Sequence, residues 1–396
     1  MRKEGAFRCP MKGNDGKDMN LSACYIAKNE EKNLPRSIAS LQDAVDELIV
    51  VDTGSKDRTR EIAASLGARV YAFSWQDDFS AARNAAIEKA GGDWILFLDA
   101  DEFFPPDMNL RTELAVLLDR MPKQGVALLQ RYDLDSSLRQ DRADRIWAPR
   151  LFQNCPEMRY RGRIHEEITA AGGERKLVYA HPELYLLHTG YAGVLGREKA
   201  ERNLRLIQEA VKQDGWEPRY DYYLMDCCYG MKRYEEAFRH AVAFLNSEIT
   251  LVGDVSHVYH MILESLRGMG CPAADMLPWA QKACAVYPDL PEYYAEQGMI
   301  YCGMGELPKA RQLLIDALLH YEQHTAAPHH ATYFSREVAA RVAARLGEIA
   351  MQYHDVDEAA VWFRQAMDYC DTCEAVTSKV RRFLKQVEEE RRGASE

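Results

Sequence analysis

WILFLDADE, at residues 94–102, begins with an apolar run at 94–98 that leads directly into an acidic end. The turn residues 91–93 precede it, and the run has the length of a buried strand. Because side chains alternate along a strand, we expect Asp99 and Asp101 to face one side while Ala100 turns inward. Two carboxylates on one side favour a hard divalent cation, Mg²⁺ or Mn²⁺.

Three earlier apolar runs have a similar character, and segments with helical spacing separate them. The runs are 21–26, 48–51 and 69–73, and the helical segments are 34–41, 62–66 and 82–90. Strands and helices that alternate in this way predict a mostly parallel sheet with helices on both faces. Ligands of such sheets bind beyond the carboxyl ends of the strands, so we expect the functional site at that edge.

Polar residues also follow the first two runs. Asn29 and Glu30 come after the first run, and Asp52, Thr53 and Gly54 come after the second. They are therefore predicted to lie at the same edge as the acidic end of the fourth run. Glycine permits close approach of a ligand to the backbone, and the Asp52 carboxylate is suited to accept a hydrogen bond from a nucleobase N–H.

From about residue 204 the strand signals disappear and a helical repeat begins. The segments 229–237, 301–310 and 352–359 share a short polar turn that is followed by an alanine. This pattern resembles a tetratricopeptide array, a solenoid of helix pairs with a period of about 34 residues. The predicted organisation is a flexible N-terminus at 1–18, an α/β domain at 19–200, an all-α solenoid at 201–385 and a charged tail at 386–396.

Four blocks of the first domain resemble family 2 glycosyltransferases, which share the GT-A fold. The blocks are 26–31, 50–59, 77–84 and 98–102. They are similar to a branch that includes the sublancin-type peptide S-glycosyltransferases and the lipopolysaccharide-core glucosyltransferases, and the former also carry tetratricopeptide repeats. The resemblance implies a nucleotide-sugar-binding GT-A domain, a UDP-sugar donor of the glucose or N-acetylglucosamine type, and inversion at the transferred sugar.

The same resemblance implies roles for individual residues. Asn29, Glu30 and Asp52 would contact the nucleoside. Arg83 would contact the base or the pyrophosphate, and Asp99 the ribose or the metal. The matching blocks also hold the remaining donor-binding candidates, which are Thr53, Gly54, Asn84 and Ala100.

The expected metal ligands are Asp101 and Asp99, with His188 as the third. His188 directly follows an apolar run, and histidine and carboxylates can share a metal. An inverting transfer also needs a base that removes the acceptor proton. Glu166 is the preferred base and Glu167 the alternative. Glutamates that are ion-paired to nearby arginines, and a buried hydrogen-bonded histidine, are the competing interpretations.

Composition and charge restrict which classes of partner and which cellular location we expect for this protein. The 396 residues are 47% hydrophobic and carry a net charge of -11, which excludes the basic surface that nucleic acid requires. Arginines concentrated between 139 and 163 favour either a solvated surface or contacts to phosphate. The sequence offers no signal peptide, membrane span or disulfide framework, so we expect a cytoplasmic protein. Peripheral contact with the inner face of the membrane stays open.

Two functions from different classes are consistent with these observations. The main prediction is metal-dependent transfer of a sugar from a UDP-sugar to a polypeptide or glycan acceptor. The repeats would recruit the acceptor, a protein partner or a second copy of the chain. The alternative is a scaffold without turnover that senses nucleotide sugars and binds a protein through its repeats. Nucleotidyl transfer is disfavoured because no glycine-rich phosphate loop lies near the first strand.

Overall fold

The computed structural model describes residues 11–12, 18–41, 43–134, 144–171, 175–189, 196–247, 249, 255–323, 330 and 333–393. By Cα proximity the chain forms two compact units. The first unit is Met1–Leu138 with Ile146–Tyr223, and the second is Arg139–Arg145 with Leu224–Glu396. The sequence-based boundary at residue 200 stays a prediction. By contacts, the helix that spans residue 200 belongs to the first unit.

Strands dominate the first half of the described chain. They are β1 (Met11–Lys12), β2 (Asp18–Met19), β3 (Leu21–Ala27), β4 (Glu47–Asp52), β5 (Arg69–Ala72), β6 (Trp94–Phe97), β7 (Glu102–Phe103), β8 (Gly125–Asp133), β9 (Asp144–Gln153), β10 (Met158–Arg161), β11 (Glu167–Ala170), β12 (Lys176–Tyr179) and β13 (Tyr185–His188). Within the described residues, a nine-stranded sheet runs in the order β5-β4-β3-β6-β9-β8-β13-β7, and β12 pairs with β8. β5, β4, β3 and β6 are parallel, whereas β9 is antiparallel to β6.

Five helices accompany these strands in the described part of the first unit. They are α1 (Leu34–Leu41), α2 (Thr59–Ser65), α3 (Phe79–Ile87), α4 (Leu110–Asp119) and α5 (Arg197–Asp214). The four predicted strands begin and end within one residue of β3, β4, β5 and β6, and the three predicted helical segments overlap α1, α2 and α3. The expected mostly parallel α/β sheet is therefore confirmed.

The sheet has an apolar layer on each face because successive strand residues point to opposite sides. Tyr25 of β3 packs in one cluster with Ile38 of α1 and Leu114 of α4. Its neighbour Cys24 lies in the other cluster, with Ile87 of α3. Each fully buried leucine or isoleucine stabilises the fold by roughly 1.5–3 kcal/mol. The two layers therefore fix β3 and its neighbours as the rigid base from which the edge loops project.

The remaining helices of the described residues follow one another along the chain, and from the second of them onward each packs against the next. They are α6 (Arg219–Gly230), α7 (Tyr234–Leu245), α8 (His257–Gly268), α9 (Ala273–Val286), α10 (Pro291–Gly303), α11 (Leu307–Glu322), α12 (Arg336–Gln352), α13 (Val356–Tyr369) and α14 (Glu374–Gly393). The alanines predicted to recur, Ala237, Ala310 and Ala359, are each 0% exposed near the start of the second helix of a pair. The predicted solenoid of helix pairs is therefore confirmed.

Small residues let paired helices approach each other. A Cβ added to Gly298 of α10 would lie 2.7 Å from the side chain of Leu314 in α11. A Cβ added to Gly347 of α12 would lie 2.9 Å from the ring of Phe363 in α13. Glycine at these two positions therefore makes room for a large apolar side chain of the neighbouring helix.

Two further properties concern the residues that the structure describes. None of their cysteines forms a disulfide. None of their helices combines the length and the apolar character that crossing a membrane requires.

Candidate functional site

The loops after β3 and β4 are joined by reciprocal hydrogen bonds. The Asn29 N–H donates to Ser55 Oγ at 2.9 Å, and the Lys56 N–H donates to Asn29 Oδ1 at 2.9 Å. The Glu30 N–H donates to Thr59 Oγ1 at 2.7 Å. Asn29 has a φ of 59°, a left-handed conformation that asparagine tolerates better than most residues. The two loops form one wall of the carboxyl edge, which we call the interlocked loops.

Asp52 ends β4 and shapes the turn after it. Its carboxylate is buried and accepts from the N–H groups of Gly54 and Ser55, each at 3.2 Å. Gly54 has a φ of 106°, which is accessible to glycine and strained for other residues. Thr53 is buried, and its N–H donates to the Ala27 oxygen at 3.0 Å. Asp52 therefore has a structural role in this turn, and its contact with a nucleobase stays a prediction.

The acidic end of the fourth strand forms a turn. β6 ends at Phe97, and the Glu102 N–H donates to the Asp99 oxygen at 3.0 Å. The expectation of an extended segment through Asp101 was therefore wrong, because this hydrogen bond reverses the chain. Ala100 is nevertheless buried in the core, as expected, so the two aspartates stay on the polar side of the turn.

Two buried arginines hold Asp99. Arg83 Nη2 donates to Asp99 Oδ1 at 2.9 Å, and Arg150 Nη2 donates to Asp99 Oδ2 at 2.9 Å. Burial alone would raise the pKa of Asp99, but the charges of Arg83 and Arg150 outweigh it and hold the pKa well below its usual value. Each oxygen of Asp99 already accepts an arginine N–H, so the role of Asp99 as a metal ligand stays a prediction.

Glu102 connects the acidic turn to the neighbouring strands β8 and β9. It is 0% exposed and accepts from Arg150 Nε at 2.7 Å and Arg150 Nη2 at 2.6 Å. Arg131 Nη1 approaches the same carboxylate at 3.4 Å, and the Asp99 N–H donates to it at 3.1 Å. A carboxylate this deeply buried is stable as an ion only with such partners. Glu102 therefore couples Asp99 to Arg131.

His188, at the end of β13, lies between two carboxylates. Its Nδ1 is 2.8 Å from Asp133 Oδ1, and its Nε2 is 3.3 Å from Asp101 Oδ2. Burial lowers the pKa of His188, but the hydrogen bonds with Asp101 and Asp133 outweigh it and raise the pKa to about 9. The structure thus brings together two of the three predicted metal ligands. Among the residues it describes, no group of three or more His, Cys, Asp or Glu is arranged to hold a metal.

Glu30 lies in the field of the same carboxylates. Burial raises the pKa of Glu30, a hydrogen bond from Asn33 lowers it, and the charges of Asp101, Asp57 and Asp99 raise it further. The interlocked loops and the acidic turn therefore face one electrostatic environment, as the sequence predicts for residues at one edge of the sheet.

The two candidate bases have different surroundings. Glu166 Oε1 accepts from Arg83 Nε at 2.5 Å, and its side chain is 12% exposed. Glu167 begins β11, and its carboxylate accepts from Arg175 Nη2 at 2.9 Å. Both glutamates are thus ion-paired, as one interpretation of this segment expects. Arg83 binds both Glu166 and Asp99. In the described structure, Glu166 is therefore the one of the two glutamates that belongs to the ion pairs around Asp99.

Asn84, a predicted donor-binding residue, holds α3 against the hairpin of β10 and β11. Its Nδ2 donates to the Tyr160 oxygen, and its Oδ1 accepts from the Tyr160 N–H, both at 2.9 Å. Both ends of the amide are engaged with backbone. The structure therefore gives Asn84 a structural contact, and its contact with a donor stays a prediction.

Several charged residues of the site were not among the candidates from the sequence. Arg150 was one of the arginines between 139 and 163, for which a solvated surface or contacts to phosphate were predicted, and Arg131 and Asp133 were not singled out. Burial lowers the pKa of Lys199 in α5, Arg202 lowers it further, and the charge of Asp101 opposes this shift. The available signal was the alternation of Arg131 and Asp133 on a strand, which only becomes informative once β8 is known to reach this edge.

Comparison with known proteins identifies the family of the first domain. The family model described as glycosyl transferase family 2 matches residues 22–180, which run from β3 to the end of β12 and include the acidic turn. Residues 22–180 are a family 2 glycosyltransferase domain. The family 2 domain contains every candidate site residue except His188, which lies beyond it in β13.

Relatives of the chain include proteins named as glycosyltransferases and one named for its repeats. A TPR repeat-containing protein of Synechococcus elongatus is 44% identical over 37% of this chain and 34% of its own length. The SPbeta prophage-derived glycosyltransferase SunS of Bacillus subtilis is 24% identical over 56% of this chain and 52% of its own length. An uncharacterized glycosyltransferase of Rickettsia bellii is 34% identical over 35% of this chain and 45% of its own length. The chain thus spans between a third and about half of the length of these relatives.

Proposed function

We propose that this chain is a metal-dependent inverting glycosyltransferase that moves a sugar from a UDP-sugar, of the glucose or N-acetylglucosamine type, to a polypeptide or glycan acceptor. The observation that carries the proposal is the contact of 3.3 Å between Asp101 Oδ2 and His188 Nε2 at the carboxyl edge of a family 2 domain. Such enzymes use activated sugars that are made in the cytoplasm, which is the location we propose.

The proposed metal is Mn²⁺ or Mg²⁺, held by Asp101 and His188, and Asp99 is the remaining predicted ligand. The donor set fits, because a carboxylate oxygen and an imidazole nitrogen already converge and His188 Nδ1 is engaged elsewhere, by Asp133. Cations of this kind take few protein ligands and complete their shell with phosphate oxygens and water. When bound, the metal would offset the negative charge that develops on the departing diphosphate.

The donor is proposed to lie against the interlocked loops and Arg83. Asn29, Glu30 and Asp52 belong to those loops, whose backbone is held in place before any ligand binds. Arg83 Nη1 is buried and has no hydrogen-bond partner among the described residues. An unpaired buried donor costs about 1–3 kcal/mol. An anionic oxygen of the donor would satisfy this N–H, which supports the phosphate contact that the family resemblance implies.

Glu166 is the proposed base. Its carboxylate belongs to the same set of ion pairs as Asp99, through Arg83, and part of it remains accessible. Arg83 fixes the orientation of Glu166, and a base must be oriented within hydrogen-bond reach of the proton that it removes. Glu167 is bound to Arg175 in the hairpin, which makes it the weaker candidate.

The helical repeats are proposed to bind the polypeptide acceptor or a protein partner. A cavity of about 570 Å³ lies among α8, α9, α10 and α12, with Met276, Met299 and Val342 among its apolar lining and Arg341 among its charged lining. Its size and mixed lining suit a peptide side chain. Met299→Glu would then raise the KM for the acceptor. Met304→Glu, at a residue of similar exposure outside the cavity, would leave it unchanged, and equal effects would count against this role.

The direct test is turnover of a panel of UDP-sugars, measured as UDP release and sugar transfer, with Mn²⁺ and with EDTA. We expect turnover that requires the metal and that Asp101→Asn reduces by at least tenfold. Transfer at full rate in EDTA would contradict the metal assignment. UDP binding without transfer or hydrolysis of any donor would favour the alternative, a nucleotide-sugar sensor whose repeats bind a protein.

A further inference from the structure

Asp133 and His188 are held side by side by the backbone of the sheet. β8 and β13 are parallel neighbours, and their register pairs Asp133 with His188. The Leu134 N–H donates to the His188 oxygen at 2.8 Å, so the pairing continues past both residues. His188 is 5% exposed, which leaves its ring little freedom. The position of the Asp133 carboxylate next to the imidazole is therefore set by the fold rather than by a mobile side chain.

Arg131 fixes the ionisation and the orientation of Asp133. It lies two residues earlier on the same strand and hence on the same side. Arg131 Nε donates to Asp133 Oδ1 at 2.8 Å, and Arg131 Nη2 donates to Asp133 Oδ2 at 3.0 Å. This two-point contact is the one that guanidinium makes with an ionised carboxylate. Asp133 is therefore an acceptor only, so the 2.8 Å contact requires that His188 Nδ1 carry the proton.

We propose that Asp133 is a positioning residue that holds His188 with its Nδ1 protonated and its Nε2 directed at Asp101, where a divalent cation binds. The inference rests on the proposed function, because it assigns Nε2 a metal to bind. A neutral imidazole offers a metal its unprotonated nitrogen, and the hydrogen bond at the other nitrogen decides which one that is. Arg131 also contacts Glu102, and Glu102 binds Arg150. Because Arg150 binds Asp99, a continuous series of ion pairs connects Asp133 with Asp99.

Asp133→Asn tests this role in the full-length chain. Asparagine has nearly the same shape, but its amide can turn its NH₂ toward Nδ1 and favour the tautomer with the proton on Nε2, which cannot bind a metal. In the presence of UDP, we expect Mn²⁺ affinity, measured by electron paramagnetic resonance of the free ion, to fall about 10–100-fold. Nitrogen-15 NMR of the histidine rings, without metal and at a pH above the His188 pKa of about 9, where the ring is neutral, should show His188 changing from a protonated Nδ1 to a mixture or to a protonated Nε2.

A double-mutant cycle separates positioning from a general loss of structure. If Asp133 acts through His188, Asp133→Asn will not weaken Mn²⁺ binding further in a His188→Ala background. Asp226→Asn is the matched control, because Asp226 also pairs with a histidine, His257 Nε2, at 2.8 Å. This control should leave Mn²⁺ affinity unchanged, and circular dichroism should show that all variants fold.

The possible outcomes distinguish this inference from the proposed function. Wild-type affinity in Asp133→Asn, an unchanged tautomer, or an equal further loss in the His188→Ala background would overturn the positioning role alone. Wild-type affinity in His188→Ala would overturn it as well, while leaving Asp101 as a ligand. Absence of Mn²⁺ binding by the wild-type chain with UDP would overturn the metal assignment and this inference together.

Discussion

Asp99 is held by guanidinium groups that come from two different elements, α3 and β9. Arg83 also lies 4.7 Å from the centre of the Phe97 ring, so its charge is stabilised by a carboxylate pair and an aromatic face. Removing Asp99 takes one anionic partner from each of these two buried arginines, although Arg83 keeps Glu166 and Arg150 keeps Glu102. Asp99 is therefore as important for the stability of the site as for any contact with a ligand.

Replacing Asp99 tests that stability directly. We expect Asp99→Asn to lower the free energy of unfolding by about 1–3 kcal/mol near neutral pH, because Arg83 and Arg150 each lose one of two anionic partners and the Asp99 side chain is 33% exposed. The folded-state pKa of Asp99 lies below the unfolded value of about 3.9. The stabilisation is therefore fully present above the unfolded pKa and is lost as the pH falls through the folded pKa.

Urea unfolding of the wild type and of Asp99→Asn at several pH values measures this difference. The gap should be constant above about pH 5 and should narrow below about pH 4. Asp107→Asn, at an exposed position, serves as the control and should change stability by less than about 0.5 kcal/mol. A gap that widens in acid would show that Asp99 is not held in its ionised form.

Single substitutions of Glu166 and Glu167 test which of the two glutamates is the base. Glu166→Gln should lower kcat by about 10²–10⁴, the usual contribution of a general base. Glu167→Gln is a matched control, since Glu167 is the next residue and is also bound to an arginine. It should keep most of the wild-type kcat in the same transfer assay. Comparable losses in both variants would mean that ion pairing, rather than proton removal, explains the effect.

The sequence predicted the residues at the ends of the strands in the parallel half of the sheet, and it also singled out His188. It did not predict the ion pairs of Asp99 and Glu102 with Arg150. Arg150 sits in an arginine-rich segment whose periodicity does not tell an inward residue from an outward one. Its burial depends on Glu102, which belongs to another strand. Such a partnership depends on the pairing of the strands, which local sequence does not specify.

At the scale of elements, the parallel strands β3 to β6 were predicted because each is a short apolar run between turns. β8 to β13 were not predicted as strands, although β8 contains the apolar run 126–129. β10 and β11 form a separate two-stranded sheet, and β9 adds to the large sheet antiparallel to β6, so these strands do not follow the alternation of strands and helices seen earlier in the chain. The Asp99 turn was missed for a different reason. A hydrogen bond from the Glu102 N–H ends the extended chain, and the aspartates that favour a turn here were interpreted as metal ligands on a strand instead.

The helix pairs make a prediction about glycine. Gly298→Ala should destabilise the chain by about 1–3 kcal/mol, because its Cβ would lie 2.7 Å from the Leu314 side chain. Gly303→Ala, in the same helix, meets no atom within 4 Å and should stabilise the chain by roughly 0.5–1 kcal/mol. Urea unfolding of both variants measures the two effects. Changes of the same sign would contradict the packing described for α10 and α11.

For the whole molecule, bound donor should raise stability. A ligand that binds only the folded chain stabilises it by about 2.7 kcal/mol at a hundred times its Kd. We expect UDP with Mn²⁺ to raise the melting temperature more than UDP alone. Asp101→Asn should remove the part of the shift that needs the metal, and a control with Mg²⁺ and no nucleotide should give little shift. An identical shift with and without metal would argue against a site shared by cation and diphosphate.

The two fold classes were both predictable because each has its own period, alternating strands and helices in one case and helix pairs in the other. The place where one compact unit gives way to the next was not marked in the sequence. It falls between Tyr223 and Leu224, inside α6, where the helical pattern runs on without a break.

The interlocked loops have a consequence for the thermodynamics of binding. Their backbone N–H groups are satisfied by side chains of the opposite loop, so the conformational entropy of these segments is lost when the chain folds. Ordering a backbone residue costs about 1–2 kcal/mol, and a nucleoside that binds here would not have to supply it. Selectivity at the interlocked loops would then come from a binding surface that is preorganised before the ligand binds. The contribution of these loops to the heat-capacity change on binding would be nearly the same for one nucleotide as for another.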